Sequence, residues 1–190
     1  MRVLTKDEFM LEKSRFKADI RKGAIFVHPT DTIYGIGCSV LSSEAVNNVR
    51  EVKQRRFMPF SILVPSKKWI FENCEVNKKA NEWVDKLPGA YTLVLSLKNK
   101  NAIVPEVNNN LRTVGVRIPD HWFSSYVREL GFPVITTSAN VVGENFMTSI
   151  EDLDERIKSK VDFIIYEGEK KGRPSTIVDL SKKEPQITKR

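Results

Sequence analysis

Short apolar runs of strand character recur along the whole chain: AIFV (24–27), SILV (61–64), YTLVLSL (91–97), TVGVRI (113–118), PVITT (133–137), VDFIIY (161–166) and STIVDL (175–180). Seven such runs predict a large sheet. Between them Ala45, Val49 and Val52 repeat at helical spacing after Ser43, which reads as an N-cap, and a second helix is predicted over about 149–159, opened by a capping box of Thr148 and Glu151. The pattern is that of an α/β fold with a twisted, mixed and largely antiparallel sheet flanked by helices. PEVNNN (105–110) reads as an exposed turn, and no repeat, low-complexity tract or linker divides residues 1–190, which are expected to form one domain.

Composition narrows the chemistry. The 190 residues are 41% hydrophobic and 29% charged, a globular profile. The first residues are charged throughout, and no stretch approaches the roughly 18 apolar residues of a membrane span, so a cytoplasmic protein with no membrane partner is expected. Cys38 and Cys74 lack zinc-site spacing, and His28 and His121 lie too far apart to suggest a triad or metal pair. With 31 Lys plus Arg against 24 Asp plus Glu, the formal charge of +7 favours an anionic partner. Gly35 and Gly37 form a GxG, but Val40 stands where a dinucleotide fingerprint needs its third glycine, and there is no P-loop.

Four segments can carry chemistry. In HPTDTIYGIGCS (28–39), Thr30, Asp31, Thr32 and Tyr34 either present hydroxyls and backbone N–H groups to a small zwitterion or satisfy their own turn. In VKQRRFMPF (52–60), Lys53, Arg55 and Arg56 either clamp a polyphosphate or complement the helix dipole. In TVGVRIPD (113–120), a period of two puts Thr113, Gly115 and Arg117 on one face; Arg117 pairs with an anion or faces solvent. In VITTSANVVGE (134–144), Thr136, Thr137, Ser138 and Asn140 sit where a strand gives way to a loop, either at a ligand or in a self-satisfied turn.

Taken in order, PTDTIYGIG, KQR followed by a proline, LPGAYTLVL, TVGVRIPD, TSAN and STIVDL resemble the YrdC/TsaC family of threonylcarbamoyl-AMP synthases over about residues 20–180, in its short form. The resemblance implies a sheet wrapped by helices around a deep basic cavity. It implies that Lys53, Arg55, Ser138 and Asn140 are catalytic and handle ATP, that Thr113 also contacts the nucleotide, and that Thr32, Arg117 and Thr136 hold threonine. Tyr34, Ser175 and Thr176 are further candidates. Where relatives often have Asn and His, this chain has Met58 and Leu63; LPGAYT (87–92) replaces a common WPGPLT, and only Lys189 or Arg190 could stand in for an arginine that often follows the last strand.

The implied reaction joins L-threonine, bicarbonate or carbon dioxide, and ATP into threonylcarbamoyl-AMP, an activated precursor for modifying an adenosine beside the tRNA anticodon. Magnesium is expected with ATP; no ligand for it is indicated, Asp31 being one candidate. The implied downstream partner is a tRNA threonylcarbamoyltransferase, with weak binding of tRNA left open. The rival reading is an RNA-binding module for tRNA or double-stranded RNA without its own adenylation activity, which would rely on exposed cations and aromatic platforms. A relative's role in hydrogenase maturation would need modules for which this chain has neither the length nor the cysteines.

Overall fold

The computed structural model describes residues 1–189. Ten strands form one sheet among them: β1 (Arg2–Leu4), β2 (Phe26–His28), β3 (Gly35–Gly37), β4 (Ser61–Leu63), β5 (Tyr91–Ser96), β6 (Thr113–Arg117), β7 (Val134–Ser138), β8 (Phe163–Ile165), β9 (Thr176–Asp179) and β10 (Gln186–Thr188). Their spatial order is β1-β8-β2-β3-β7-β4-β6-β5-β9-β10. β1, β8 and β2 run parallel, as do β4 with β6 and β5 with β9; the other neighbours are antiparallel, as the mixed pattern required. Eight α-helices connect the strands: α1 (Lys6–Leu11), α2 (Lys13–Arg21), α3 (Ser43–Lys53), α4 (Lys67–Asn73), α5 (Lys78–Asp85), α6 (Pro105–Asn108), α7 (Trp122–Leu130) and α8 (Glu155–Lys158).

Strand pleating sorts the side chains onto two faces. One face is an apolar row: Val27 opposite Ile36, Ile62 between Ile135 and Val116, and Leu93 between Val116 and Val178. Val46 and Val49 of α3, Ile70 of α4, Val84 of α5 and Ile157 of α8 close over it, completing the larger core. The other face is divided. Towards β1, Phe26, Phe163, Ile165, Leu63 and Val134 meet Phe9, Phe16, Ile20, Phe123 and Leu130 of α1, α2 and α7 in a second core. Phe26 and Phe163 stack at 5.2 Å, and a Cβ at Gly37 would come within 2.9 Å of the Phe26 ring, so the glycine makes room for the aromatic. Towards the middle of the sheet the same face turns polar, and the candidate site lies there.

Several local expectations need correction. Ser42, not Ser43, caps α3, its Oγ accepting from the Ala45 N–H at 3.2 Å. The helix expected over 149–159 is the single turn of α8, capped by Asp154; Thr148 and Ser149 donate to Asp152, so a carboxylate turn replaces the Thr148/Glu151 box. PEVNNN is not a plain exposed turn. It begins as α6, buries Val107 and Asn108, and leaves through left-handed Asn109 and Asn110 (φ 55° and 58°).

Candidate active site

The polar half of the sheet is built by cross-strand register. His28 lies opposite Gly35, Gly35 opposite Ser138, and Ser61 between Thr136 and Gly115. Of these, Gly35, Ser61, Thr136 and Ser138 line a cleft of about 60 Å³ with Thr30, Tyr34, Thr92, Arg117 and Ser175. At Gly115 an added Cβ would lie 2.9 Å from the Ser61 Oγ, so the space this glycine opens is filled by the serine hydroxyl. His28 is buried behind Gly35, its ring stacked 4.8 Å from Phe123, and burial pushes it down to about 3, so it stays neutral.

Within the 28–39 turn some side chains satisfy the turn itself and others reach across the sheet. Thr30 satisfies the turn itself: its Oγ1 accepts from the N–H groups of Thr32 and Ile33 at 3.1 and 3.3 Å. Asp31 and Thr32 reach across to β6, where Arg117 Nη2 donates to Asp31 Oδ1 at 2.9 Å and lies 3.4 Å from Thr32 Oγ1. The other Asp31 oxygen accepts from the Asp120 N–H at 3.1 Å. Arg117 is therefore buried and ion-paired rather than solvent-facing, and both oxygens of Asp31 accept from protein donors. Among the described residues no group of three or more His, Cys, Asp or Glu could hold a metal ion.

The cations after α3 take different positions. Gln54 ends the helix in the left-handed conformation (φ 53°), turning the chain sharply between Lys53 and Arg55. Lys53 is buried, and its ammonium donates to the Ser138 carbonyl at 2.5 Å, the Asn140 carbonyl at 2.6 Å and Asn140 Oδ1 at 3.1 Å. Asn140 Oδ1 also accepts from Ser138 Oγ at 2.6 Å. Lys53, Ser138 and Asn140 thus form one hydrogen-bonded unit in which Lys53 fixes the turn after β7. Burial, and then repulsion from Arg55, lowers the lysine to about 7. Arg55 donates to Thr137 Oγ1 at 3.3 Å and the Pro59 carbonyl at 2.7 Å, while Arg56 is exposed.

Of the other expected residues, Thr136 and Ser138 line the cleft with Arg117, and Tyr34 and Ser175 join them, Ser175 Oγ lying 2.7 Å from Thr92 Oγ1. Thr176 follows at the start of β9 opposite Tyr91. Thr113 shares the Arg117 face but pairs with Ser96 at the far end of β6, outside the cleft lining. Met58 is exposed and Leu63 is buried in the aromatic core, so neither supplies a polar group to the cleft. Lys189 is exposed; Arg190 lies outside the described residues.

Sequence reasoning missed Arg50. Its buried guanidinium donates to the carbonyls of Arg55 and Met58 at 3.1 and 3.0 Å and to the Glu106 carbonyl, tying the Arg55 loop to α6. It also missed Glu167, which accepts from His121 Nε2 at 2.8 Å, Trp122 Nε1 at 2.7 Å and Lys170 at 2.6 Å. Burial would raise that carboxyl, but these three donors hold it below its ordinary value. Neither residue stands in a motif; long-range folding supplies their partners.

Known proteins resemble this chain over nearly its whole length. The Sua5/yciO/yrdC family profile, described as telomere recombination, matches residues 18–190. A Methanocaldococcus jannaschii protein provisionally named threonylcarbamoyl-AMP synthase is 38% identical over 168 residues, 86% of this chain and 78% of the relative. The threonylcarbamoyl-AMP synthase of Pyrococcus abyssi is 35% identical over 178 residues, 88% of this chain but only 50% of that protein. A crystal structure of P. abyssi Sua5 complexed with L-threonine superposes with a TM-score of 0.87 at 28% identity, covering 98% of this chain and 56% of that one. Profile, sequence and fold agree over nearly the whole chain, which belongs to the Sua5/YciO/YrdC family.

Proposed function

We infer that the protein is an L-threonylcarbamoyladenylate synthase, forming threonylcarbamoyl-AMP and pyrophosphate from L-threonine, bicarbonate or carbon dioxide, and ATP. The observation that carries this reading is that one cleft is lined by Ser138, Arg117 and Thr136, with Lys53 and Asn140 bonded to Ser138, Arg55 to Thr137 of the same lining, and Thr32 beside Arg117. A relative bearing this activity by name aligns with 88% of this chain, and a relative's structure holds L-threonine. An RNA-binding module would set its recognition groups on an exposed surface; here the hydroxyls and Arg117 are turned inward.

In the reaction, the deprotonated amine of threonine attacks carbon dioxide, or bicarbonate with loss of water, to give a carbamate. A carbamate oxygen then attacks the α-phosphorus of ATP and pyrophosphate leaves. The protein's part is positioning and charge: Arg117 takes the carboxylate, Thr32 and Thr136 the rest of the amino acid, and Arg55, Ser138 and Asn140 the phosphates. Lys53 holds the Ser138–Asn140 turn and contributes its charge from beneath. Magnesium bound to the nucleotide would neutralise charge on its phosphates. The product passes to a tRNA threonylcarbamoyltransferase, which supplies the contact with tRNA. Pyrophosphate release measured with each substrate left out in turn tests the reading: it requires threonine and bicarbonate together, and tRNA is dispensable.

A further inference from the structure

The cleft of about 60 Å³ is far smaller than the roughly 300 Å³ or more of ordinary small-molecule sites. The segment between β8 and β9 closes one side of it. Its first residues are fastened to the site by Tyr34, whose hydroxyl accepts from the Glu167 N–H at 3.0 Å and donates to the Gly168 carbonyl at 2.6 Å. The Glu167 carboxylate secures the same point from outside, through His121, Trp122 and Lys170. Its last residues, Pro174 and Ser175, line the cleft. Midway, Gly172 lies directly on Thr32: an added Cβ would overlap the Thr32 carbonyl oxygen and come within 2.8 Å of its carbon. Gly172 is not among the residues with positive φ, so close approach, not backbone conformation, is what demands a glycine there.

We propose that residues 168–174 are an autoinhibitory strap that occupies the threonine subsite in the empty protein, and that threonine binds by displacing Gly172 from Thr32. The inference rests on the proposed function for the identity of the ligand. A site open only part of the time binds with an apparent affinity reduced by its open fraction. An alanine at 172 penalises the strapped state alone, since its backbone tolerates any residue. Gly172→Ala therefore tightens threonine binding, by about tenfold if the open form holds about a tenth of the molecules. Glu167→Ala, outside the cleft, loosens the strap's base and shifts affinity in the same direction.

The strap carries its own reporters, since Lys170 and Lys171 are trypsin sites, while the bond between Arg173 and Pro174 resists the enzyme. Calorimetry with L-threonine and timed trypsin cleavage at the two lysines, on folded wild-type and both variants, test the proposal. The expected result is tighter threonine binding and faster strap cleavage in the variants, with saturating threonine speeding cleavage of the wild type. Equal or weaker threonine affinity in Gly172→Ala overturns the strap, as does wild-type cleavage that threonine slows or leaves unchanged. Absence of threonine binding by all three proteins would instead sink the assignment of the site.

Discussion

Arg117 meets Asp31 at 2.9 Å with both side chains nearly out of water, 7% and 11% exposed, so its charge is balanced before any ligand arrives. An unpaired buried guanidinium would be costly. Asp31 thus stores the cation in a form that a ligand carboxylate can share or replace.

Arg117→Ala removes that cation. A charge-assisted hydrogen bond contributes about 1.5–3 kcal/mol, so threonine efficiency falls roughly ten- to several-hundred-fold while ATP affinity changes much less. Arg117→Lys recovers part of the loss, because an ammonium keeps the charge but not the forked donors. Calorimetry of each ligand against the folded variants decides the matter; equal losses for ATP and threonine would make Arg117 a structural residue.

Lys53 sets a pH dependence for the nucleotide. Its value of about 7 means that it carries its proton below that pH, with three donors for the Ser138 carbonyl, the Asn140 carbonyl and Asn140 Oδ1. Above it the charge and one donor are lost, so ATP binding weakens as pH rises through about 7 and on towards 8. Titrations of ATP from about pH 6 to about pH 9 should show this step in the wild type and not in Lys53→Met, which binds weakly throughout. A wild-type affinity that is flat or rises with pH would contradict the role.

Phe9 concentrates the stability of the second core, its ring lying 4.7 to 6.3 Å from those of Phe16, Trp122, Phe123, Tyr126 and Phe163. Phe9→Ala should destabilise the fold by about 3–5 kcal/mol with an unchanged denaturant slope. A loss below about 1 kcal/mol would mean that the surrounding rings close over the gap.

The contrast between elements shows what the chain reveals about itself. All seven apolar runs became strands because each carries enough β-branched and aromatic surface to announce a half-buried row. β1, β3 and β10 escaped notice: each is only three residues long, and β3 is Gly-Ile-Gly, a strand solely because β2 and β7 flank it. α1 and α2 were hidden by their charges, since Phe9, Phe16 and Ile20 alone are buried on them. At the site the residue types were legible at strand and helix ends, but not their partners. Lys53 bonds to residues 85 and 87 positions away, and Arg117 to one 86 away, which no local pattern encodes. The strap was invisible for the same reason, Gly172 mattering only because Thr32 lies beneath it.

In the proposed reaction one cleft couples threonine and bicarbonate to cleavage of ATP at its α-phosphorus. The decisive measurement is pyrophosphate release by the pure protein, with threonine, bicarbonate or tRNA omitted in turn. Release should need both threonine and bicarbonate, leave threonylcarbamoyl-AMP in matching amount and proceed unchanged without tRNA; release that persists at the same rate without threonine, or that requires tRNA, would rule this reaction out.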